Sequence, residues 1–497
     1  MNVVDVLALI SRHGVAPAGI TSDSRRIGVG EVFAAWPGAT SDGRRFIADA
    51  FANGAAAALF ENGDGFKLEN TTLPAFGVAG LRSLAGFLAH EIYGHPSEKL
   101  WLAGVTGTNG KTTVSQWLAR ALTALGARCG VIGTLGNGFP DALETTLNTT
   151  PDALDLHRLL AGFLRAGASA AAMEVSSIGL DQERVNGAAF DVAIFTNLTR
   201  DHIDYHGSME AYGVAKAKLF DFPGLAAAVV NLDDEFGVEL AKKHAARGLR
   251  VIGYTLNPSR AAALPGIEPL TAGDLRVSAT GQAFGVAWEG ERVEVDVRLA
   301  GAFNVSNLLA VLGALLAKGV ALQDALAVVK TLTPPPGRMQ LVGGHDEPLV
   351  VVDYAHTPDA LAKVLEAARP AALSRGGELV CVFGCGGDRD AGKRPQMGAV
   401  ASRLADRVLV TSDNPRSEEP ERIVADILEG TGSATRAVID RAEAIRAAIV
   451  EADARDVIVL AGKGHEPYQE IRGARHPFSD VEHAAQALAA RRGRASA

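Results

Sequence analysis

Cysteine is scarce: the 497 residues hold three, Cys129, Cys381 and Cys385. That excludes a disulfide framework and points to a reducing compartment. Three residues separate Cys381 from Cys385, not the two of a redox CxxC pair, and no second ligand pair accompanies them, which argues against zinc. A basic surplus is also missing. Forty-eight Lys and Arg stand against 57 Asp and Glu, a formal net charge of −9. This argues against a dedicated nucleic-acid binder, though not against a local phosphate site. The opening M-N-V-V-D-V-L-A-L-I lacks a basic leader before an apolar run, so no signal peptide is expected. The most apolar long segment, 304–329, is broken by Asn307, Lys318, Gln323 and Asp324. It reads as amphipathic helices, not a membrane span. A cytoplasmic location without membrane or nucleic-acid partners is the expectation. No short repeat or low-complexity segment is evident.

What remains is the composition of a soluble globular enzyme, 47% hydrophobic and 21% charged. The length exceeds one core and predicts two to four domains. Three blocks are visible. The first, 1–98, mixes short strands and turns around T-S-D-S-R-R-I and ends in the Gly- and Pro-punctuated E-I-Y-G-H-P-S-E-K. The second, 99–333, alternates apolar strands with helices, which predicts a mostly parallel sheet covered on both faces. A β-rich stretch, roughly 275–299, interrupts it, and T-L-T-P-P-P-G-R closes it. The third, 334–497, restarts the alternation with L-V-V-V-D-Y, L-V-C-V-F-G, R-V-L-V-T-S-D and D-V-I-V-L-A-G and predicts a Rossmann-like α/β domain.

Gly104 to Thr113, G-V-T-G-T-N-G-K-T-T, follows a predicted strand and opens a predicted helix. Glycines let backbone N–H groups close on phosphate oxygens, and the helix offers its positive end. Lys111 would reach the β- and γ-phosphates and Thr112 would ligate Mg²⁺. Five residues separate Gly104 from Gly110, so Val105 occupies the first-glycine position of the strict pattern. Glu174 ends an apolar strand, and His202 follows another; strand carboxyl ends are where open α/β sheets bind ligands. Lys216 and Lys218 share a predicted helix, and periodicity selects neither. Asp413, Asn414 and Arg416, stiffened by Pro415, hold a carboxylate, an amide and a guanidinium on one corner.

Taken together, T-G-T-N-G-K-T-T, N-T-T-P, E-V-S-S with Q-E-R, T-N-L-T-R-D-H-I-D-Y-H-G, P-P-P-G-R-M, D-Y-A-H-T-P-D-A-L, G-C-G-G-D-R-D and A-G-K-G-H-E resemble the Mur ligase family over essentially the whole chain. Within it they resemble the type that adds the third peptide residue in peptidoglycan synthesis. The resemblance implies three α/β domains: a mixed amino-terminal domain binding a UDP-sugar, a central P-loop ATPase-like parallel-sheet domain, and a Rossmann-like domain binding an amino acid. It implies ATP-dependent amide formation through an acyl phosphate. ATP would be held by Gly107, Thr108, Asn109, Gly110, Lys111, Thr112 and Thr113, with Asn304 and Arg338. Lys111, His202 and Lys216 would be catalytic. Mg²⁺ would sit on Thr112, Glu174, His202 and Lys216, the last carbamylated by CO₂; the resemblance selects Lys216 over Lys218.

The UDP-muramoyl dipeptide would meet Ser22, Ser24, Ala39, Thr40, Ser41, Asn148, Thr149, Thr150, Ser176, Gln182 and Arg184. Residues 39–41 depart from the family's usual tripeptide. D-N-P-R is the signature of members that take meso-2,6-diaminopimelate, which would meet Arg389, Asp413, Asn414, Pro415, Arg416, Gly462 and Glu466. Arg416 would pair with the carboxylate that lysine lacks, and Asp413 and Asn414 would serve the distal ammonium. A monomer is expected. The alternatives are a lysine-adding relative, a folylpolyglutamate synthase-like ligase, a P-loop phosphotransferase or NTPase, and a non-catalytic nucleotide sensor.

Overall fold

The computed structural model describes all residues except 39–40, 64, 69–73, 147, 262–263, 278–280, 345, 433–434 and 496–497. Three larger sheets succeed one another along the chain, and an antiparallel ribbon, Tyr468–Ile471 with Ala474–Pro477, follows the last. The first has four parallel strands in chain order, Ile20–Thr21, Val32–Ala35, Ala57–Glu61 and Ala75–Val78. The helix Leu81–Ile92 packs it against the second block through the helix Ala153–Arg165. At this joint the Glu98 Oε1 atom lies 3.1 Å from His90 Nε2 and 3.5 Å from His95 Nδ1.

The second sheet has eleven strands. Its parallel middle includes Trp101–Thr106 between Ala170–Glu174 and Val192–Phe195. The β-rich stretch expected to interrupt this domain instead extends the same sheet. It starts at Glu268, earlier than expected, as Glu268–Val277, Gln282–Trp288 and Glu291–Val297, the last two pairings antiparallel. Glu291–Val297 alternates half-buried Val293 and buried Val295 and Val297 with exposed charges, as a one-sided antiparallel edge does.

The helix Ala302–Ala317 was expected to be amphipathic and is buried nearly all round. It lies against the helix Lys111–Ala124 and the sheet, so both faces need apolar side chains. No helix among the described residues is long and apolar enough to cross a membrane.

The third sheet has six strands, in the order Gln340–Gly343, Leu349–Asp353, Val457–Ala461, Leu379–Phe383, Arg407–Val410 and Arg436–Ala437. All neighbours are parallel except the first pair. The parallel strands' carboxyl ends carry Gly384–Gly387, Thr411–Arg416 and Gly462–Glu466 to one edge. Arg441 and Asp480 form a fully buried ion pair behind it, at 2.7 Å.

Candidate active site

The Gly-rich loop joins Trp101–Thr106 to Lys111–Ala124. Gly107 has φ +144°, and a Cβ there would collide with the Thr196 hydroxyl at the end of the neighbouring strand. Only glycine permits that approach. Thr196 Oγ1 donates to the Asn109 carbonyl at 2.6 Å, and Asn109 N donates to Asn197 Oδ1 at 3.0 Å. The neighbouring strand end thus holds the loop in shape.

Two ammonium groups converge on this loop. Lys111 Nζ donates to Gly107 O and Thr108 O, each at 2.8 Å. Lys216 Nζ donates to Gly107 O at 2.9 Å and lies 4.3 Å from the centroid of the Tyr212 ring. Among the described residues neither lysine forms an ion pair. Burial, then the charge of Lys111, pushes the Lys216 amine well below the ordinary lysine range. Burial lowers Lys111 as well, with Glu174 and Asp201 opposing. Cations held by carbonyl dipoles alone favour an arriving anion. Lys218 differs: it is half-exposed and pairs with Asp181 at 2.9 Å.

Glu174 ends its strand at 1% exposure. Its Oε1 accepts from Thr134 N at 2.7 Å, and its Oε2 from the hydroxyls of Thr112 and Thr134, both at 3.0 Å. Arg338, from the third block, donates through Nη2 to Thr112 Oγ1 at 3.0 Å and stacks 4.7 Å from the Tyr354 centroid. A carboxylate and a hydroxyl this close are hard oxygen donors suited to Mg²⁺. His202 sits in the left-handed region, φ +53°, where a non-glycine residue is strained. Burial pushes its imidazole down to about 4; Asp201 opposes this, and Lys111 and Lys216 add to it. The ring is therefore neutral at neutral pH, with a lone pair to offer.

Asp201 is a hub that sequence reasoning missed. It lies 3.6 Å from His202 Nε2, 3.5 Å from His356 Nε2 and 3.7 Å from Lys393 Nζ. Burial alone would raise its carboxyl, but hydrogen bonding to His356 and the nearby charges hold it well below the usual range. His356 and Lys393 come from the third block, so Asp201 and the adjacent Arg200–Asp390 pair, at 3.0 Å, tie two blocks together. Thr134 and His465 were also missed. Burial, with help from Arg338, drives His465 down to about 4. No local pattern marks these residues; the D-Y-A-H and A-G-K-G-H-E motifs contain His356 and His465 without assigning them a task.

One cavity borders the loop, and a second lies between the first two blocks. The first, about 760 Å³, is bounded by Asn109, Gly110, Asn304, Asn307, Arg338 and Tyr354. Asn304 is buried and donates to Ala300 O at 2.8 Å. The other, about 1090 Å³, runs between the first and second blocks and is lined by Ser22, Ser24, Ser41, Asn148, Gln182 and Arg184. Ala39 and Thr40 lie outside the described residues.

Thr149, Thr150 and Ser176 are absent from that lining and lie behind it. Thr150 Oγ1 donates to Glu174 O at 2.9 Å, Thr149 meets Thr134 at 3.1 Å, and Ser176 caps the helix Ser177–Asp181. They couple the cleft to the Glu174 cluster. Arg184 donates to Thr150 O at 2.9 Å and twice to Gln182 Oε1.

At the third sheet, Asn414 Nδ2 donates to Glu466 Oε2 at 2.8 Å. Arg416, φ +52°, donates to Gly387 O at 2.7 Å and faces Glu470 at 3.8 Å. A Cβ on Gly462 would strike the Asp413 carboxylate, so the two segments touch there. Pro415 is buried in the turn. Arg389 is exposed, and no side-chain bond joins it to this group among the described residues. Lys463, 2.9 Å from Glu466 and 3.0 Å from Asn414, is a further member that sequence reasoning missed.

Comparison with known proteins matches three family descriptions in register with these sites. They are "Mur ligase family, catalytic domain" at 17–92, "Mur ligase middle domain" at 105–315 and "Mur ligase, glutamate ligase domain" at 337–464. A UDP-N-acetylmuramoyl-L-alanyl-D-glutamate–2,6-diaminopimelate ligase of Ectopseudomonas mendocina is 54% identical over 483 residues, 97% of this chain and 96% of that one. The ligase of the same name from Pseudomonas aeruginosa is 53% identical over 474 residues, 95% of each chain. A solved structure of a protein with that name superposes with a TM-score of 0.66 at 39% identity, covering 96% of this chain and 95% of the other. With family matches along its length and relatives more than half identical to it, the chain belongs to the Mur ligase family.

Proposed function

We propose that this protein is an ATP-dependent ligase that joins meso-2,6-diaminopimelate to the D-glutamate carboxylate of UDP-N-acetylmuramoyl-L-alanyl-D-glutamate. One observation carries the reading. The loop, whose two lysines form no ion pair among the described residues, meets the third block through Thr112 and Arg338, and Thr112 and Thr134 share Glu174, from which Thr134 reaches Thr149 behind the large cleft. That is the arrangement a three-substrate ligase needs, and relatives bearing this activity in their names match nearly the whole chain. In this reading residues 1–98 bind the UDP-sugar, 99–333 the ATP and 334–497 the amino acid. The enzyme works as a cytoplasmic monomer on small molecules.

A carboxylate is a poor acyl donor. Transfer of the γ-phosphoryl group to it, with ADP leaving, creates a mixed anhydride. The diaminopimelate amine then attacks the acyl carbon and phosphate departs. The protein's part is positioning and charge neutralisation. The N–H groups of Gly107 to Thr113 surround the phosphates, and Lys111 releases its carbonyl partners to meet them. Asn304 and Arg338 border the base and sugar side.

Mg²⁺ bound with ATP would offset phosphate charge, held by Thr112, Glu174, His202 and Lys216 as its carbamate. Lys216 suits that modification because its buried amine is biased toward the neutral form. The nitrogen lone pair of the neutral amine adds to CO₂ and the nitrogen gives up one proton, so a neutral group becomes an anion. Ser22, Ser24, the 39–41 segment, Asn148, Thr149, Thr150, Ser176, Gln182 and Arg184 frame the dipeptide path, and Arg184 suits its carboxylate. Arg389, Asp413, Asn414, Pro415, Arg416, Gly462 and Glu466 receive the amino acid.

The test incubates the protein with ATP, the UDP-muramoyl dipeptide and diaminopimelate, and weighs the product. A tripeptide product that requires all three substrates is expected. ADP released without coupled product would support an NTPase instead. Coupling of glutamate to a folate would support the folylpolyglutamate reading.

A further inference from the structure

Lys463 follows the strand Val457–Ala461 and is 0% exposed. Its ammonium donates to Asn414 Oδ1 at 3.0 Å and to Glu466 Oε2 at 2.9 Å, and lies 5.6 Å from the Tyr468 ring centroid. Asn414 Oδ1 also accepts Glu470 N at 2.9 Å. An ammonium and a backbone N–H can only donate, so the atom facing both is the amide oxygen. Both of its lone pairs are then engaged, and Asn414 Nδ2 is turned to Glu466. On Glu466, Oε2 takes two donors, while Oε1 takes none among the described residues. One Asn414 N–H also stays open.

We propose that Lys463 is a positioning residue of the amino-acid site. It locks the Asn414 amide and the Glu466 carboxylate so that Glu466 Oε1 receives the substrate's ammonium, while the second Asn414 N–H and Arg416 receive its carboxylate. This rests on the amino-acid-site reading above and sharpens it. The Asn414 oxygen is already engaged, so the distal ammonium goes to Glu466, with the neighbouring Asp413 carboxylate as the second anion. Lys463 touches no substrate: it is fully buried, and two of its protons are directed to protein oxygens. An ammonium and a carboxylate received side by side select an amino acid with a second zwitterionic centre. An ω-ammonium alone leaves Arg416 and the amide N–H without a partner.

The test is steady-state kinetics of Lys463→Met alone and on an Asn414→Ala/Glu466→Gln background, with thermal melting as the folding control. The single variant is expected to raise the KM for diaminopimelate at least about tenfold, the weight of one charge-assisted hydrogen bond. Its KM for ATP should stay within about twofold of wild type, since among the described residues no hydrogen bond or ion pair joins Lys463, Asn414 or Glu466 to the Gly-rich loop. On the double background the same change should alter the diaminopimelate KM less than about threefold, because the groups Lys463 positions are already gone. Equal rises for ATP and diaminopimelate, or full additivity, overturn the proposal.

A crystal structure of the wild type with diaminopimelate decides the matter if the variant fails to fold. Lys463 on Asn414 and Glu466, with the ligand ammonium on Glu466 Oε1, is expected; a direct Lys463–ligand bond overturns the proposal. A wild type that makes no product from diaminopimelate would refute the ligase reading itself, a result distinct from either.

Discussion

Lys216 at the middle sheet and Lys463 at the third are both buried lysines, 1% and 0% exposed, yet they are held in opposite ways. Lys216 meets a backbone carbonyl and a ring face, with a second lysine on the same carbonyl. Lys463 meets a carboxylate and an amide oxygen. The first arrangement gives Lys216 no counter-charge among the described residues, and burial beside Lys111 biases its amine toward the neutral form. The second is balanced by Glu466, so its use is to hold its neighbours still. In the proposed function the first region serves activation of the carboxylate and the second selection of the amino acid.

The sharpest way to break this contrast is Lys216→Ala. Turnover should fall at least about 100-fold, the usual loss when a charge-organising group leaves an active site. ATP binding, measured by calorimetry, should persist, and Lys218→Ala should leave the rate within about twofold, as for a surface ion pair. An active Lys216→Ala enzyme would erase the distinction. Next is Arg416→Ala, which should raise the KM for diaminopimelate about 10- to 100-fold with the KM for ATP little changed. Equal effects on both would show that the two regions are not separate.

A smaller effect belongs to the joint between the first two blocks. Burial pushes His157 down to about 4, and it faces Asn186 O at 3.1 Å. The unfolded chain binds the proton at a higher pH, so this group's contribution is complete above about 6.5 and is lost as pH falls to about 4, on the order of 3 kcal/mol. The melting temperature of the wild type should fall more steeply over that range than that of His157→Gln. Parallel curves would show that the group does not titrate as described.

The Gly-rich loop was legible because its chemistry is local: strand, glycines, lysine and helix lie consecutively. The parallel strands of the third sheet were legible as apolar runs for the same reason. Lys216 was not separable from Lys218 by spacing, because what distinguishes them is burial against Gly107, a contact far away in the chain, and over the Tyr212 ring one turn back on the same helix. Asp201, His356 and Lys393 were invisible as a group, since three separate segments bring them together. The segment 304–329 read as amphipathic because Asn307, Lys318, Gln323 and Asp324 interrupt its apolar run. Within Ala302–Ala317, Asn304 and Asn307 face the smaller cavity, so their polarity does not mark a solvent face. Lys463 lay inside a motif already noticed, but its role depends on which amide atom it meets, a fact only the fold supplies.

The most direct measurement is competition between meso-diaminopimelate and L-lysine at equal concentration, with both products weighed as they form. The account predicts a kcat/KM ratio of at least about tenfold in favour of diaminopimelate, set by the charge-assisted bonds to its second carboxylate. Equal incorporation of the two amino acids would contradict it.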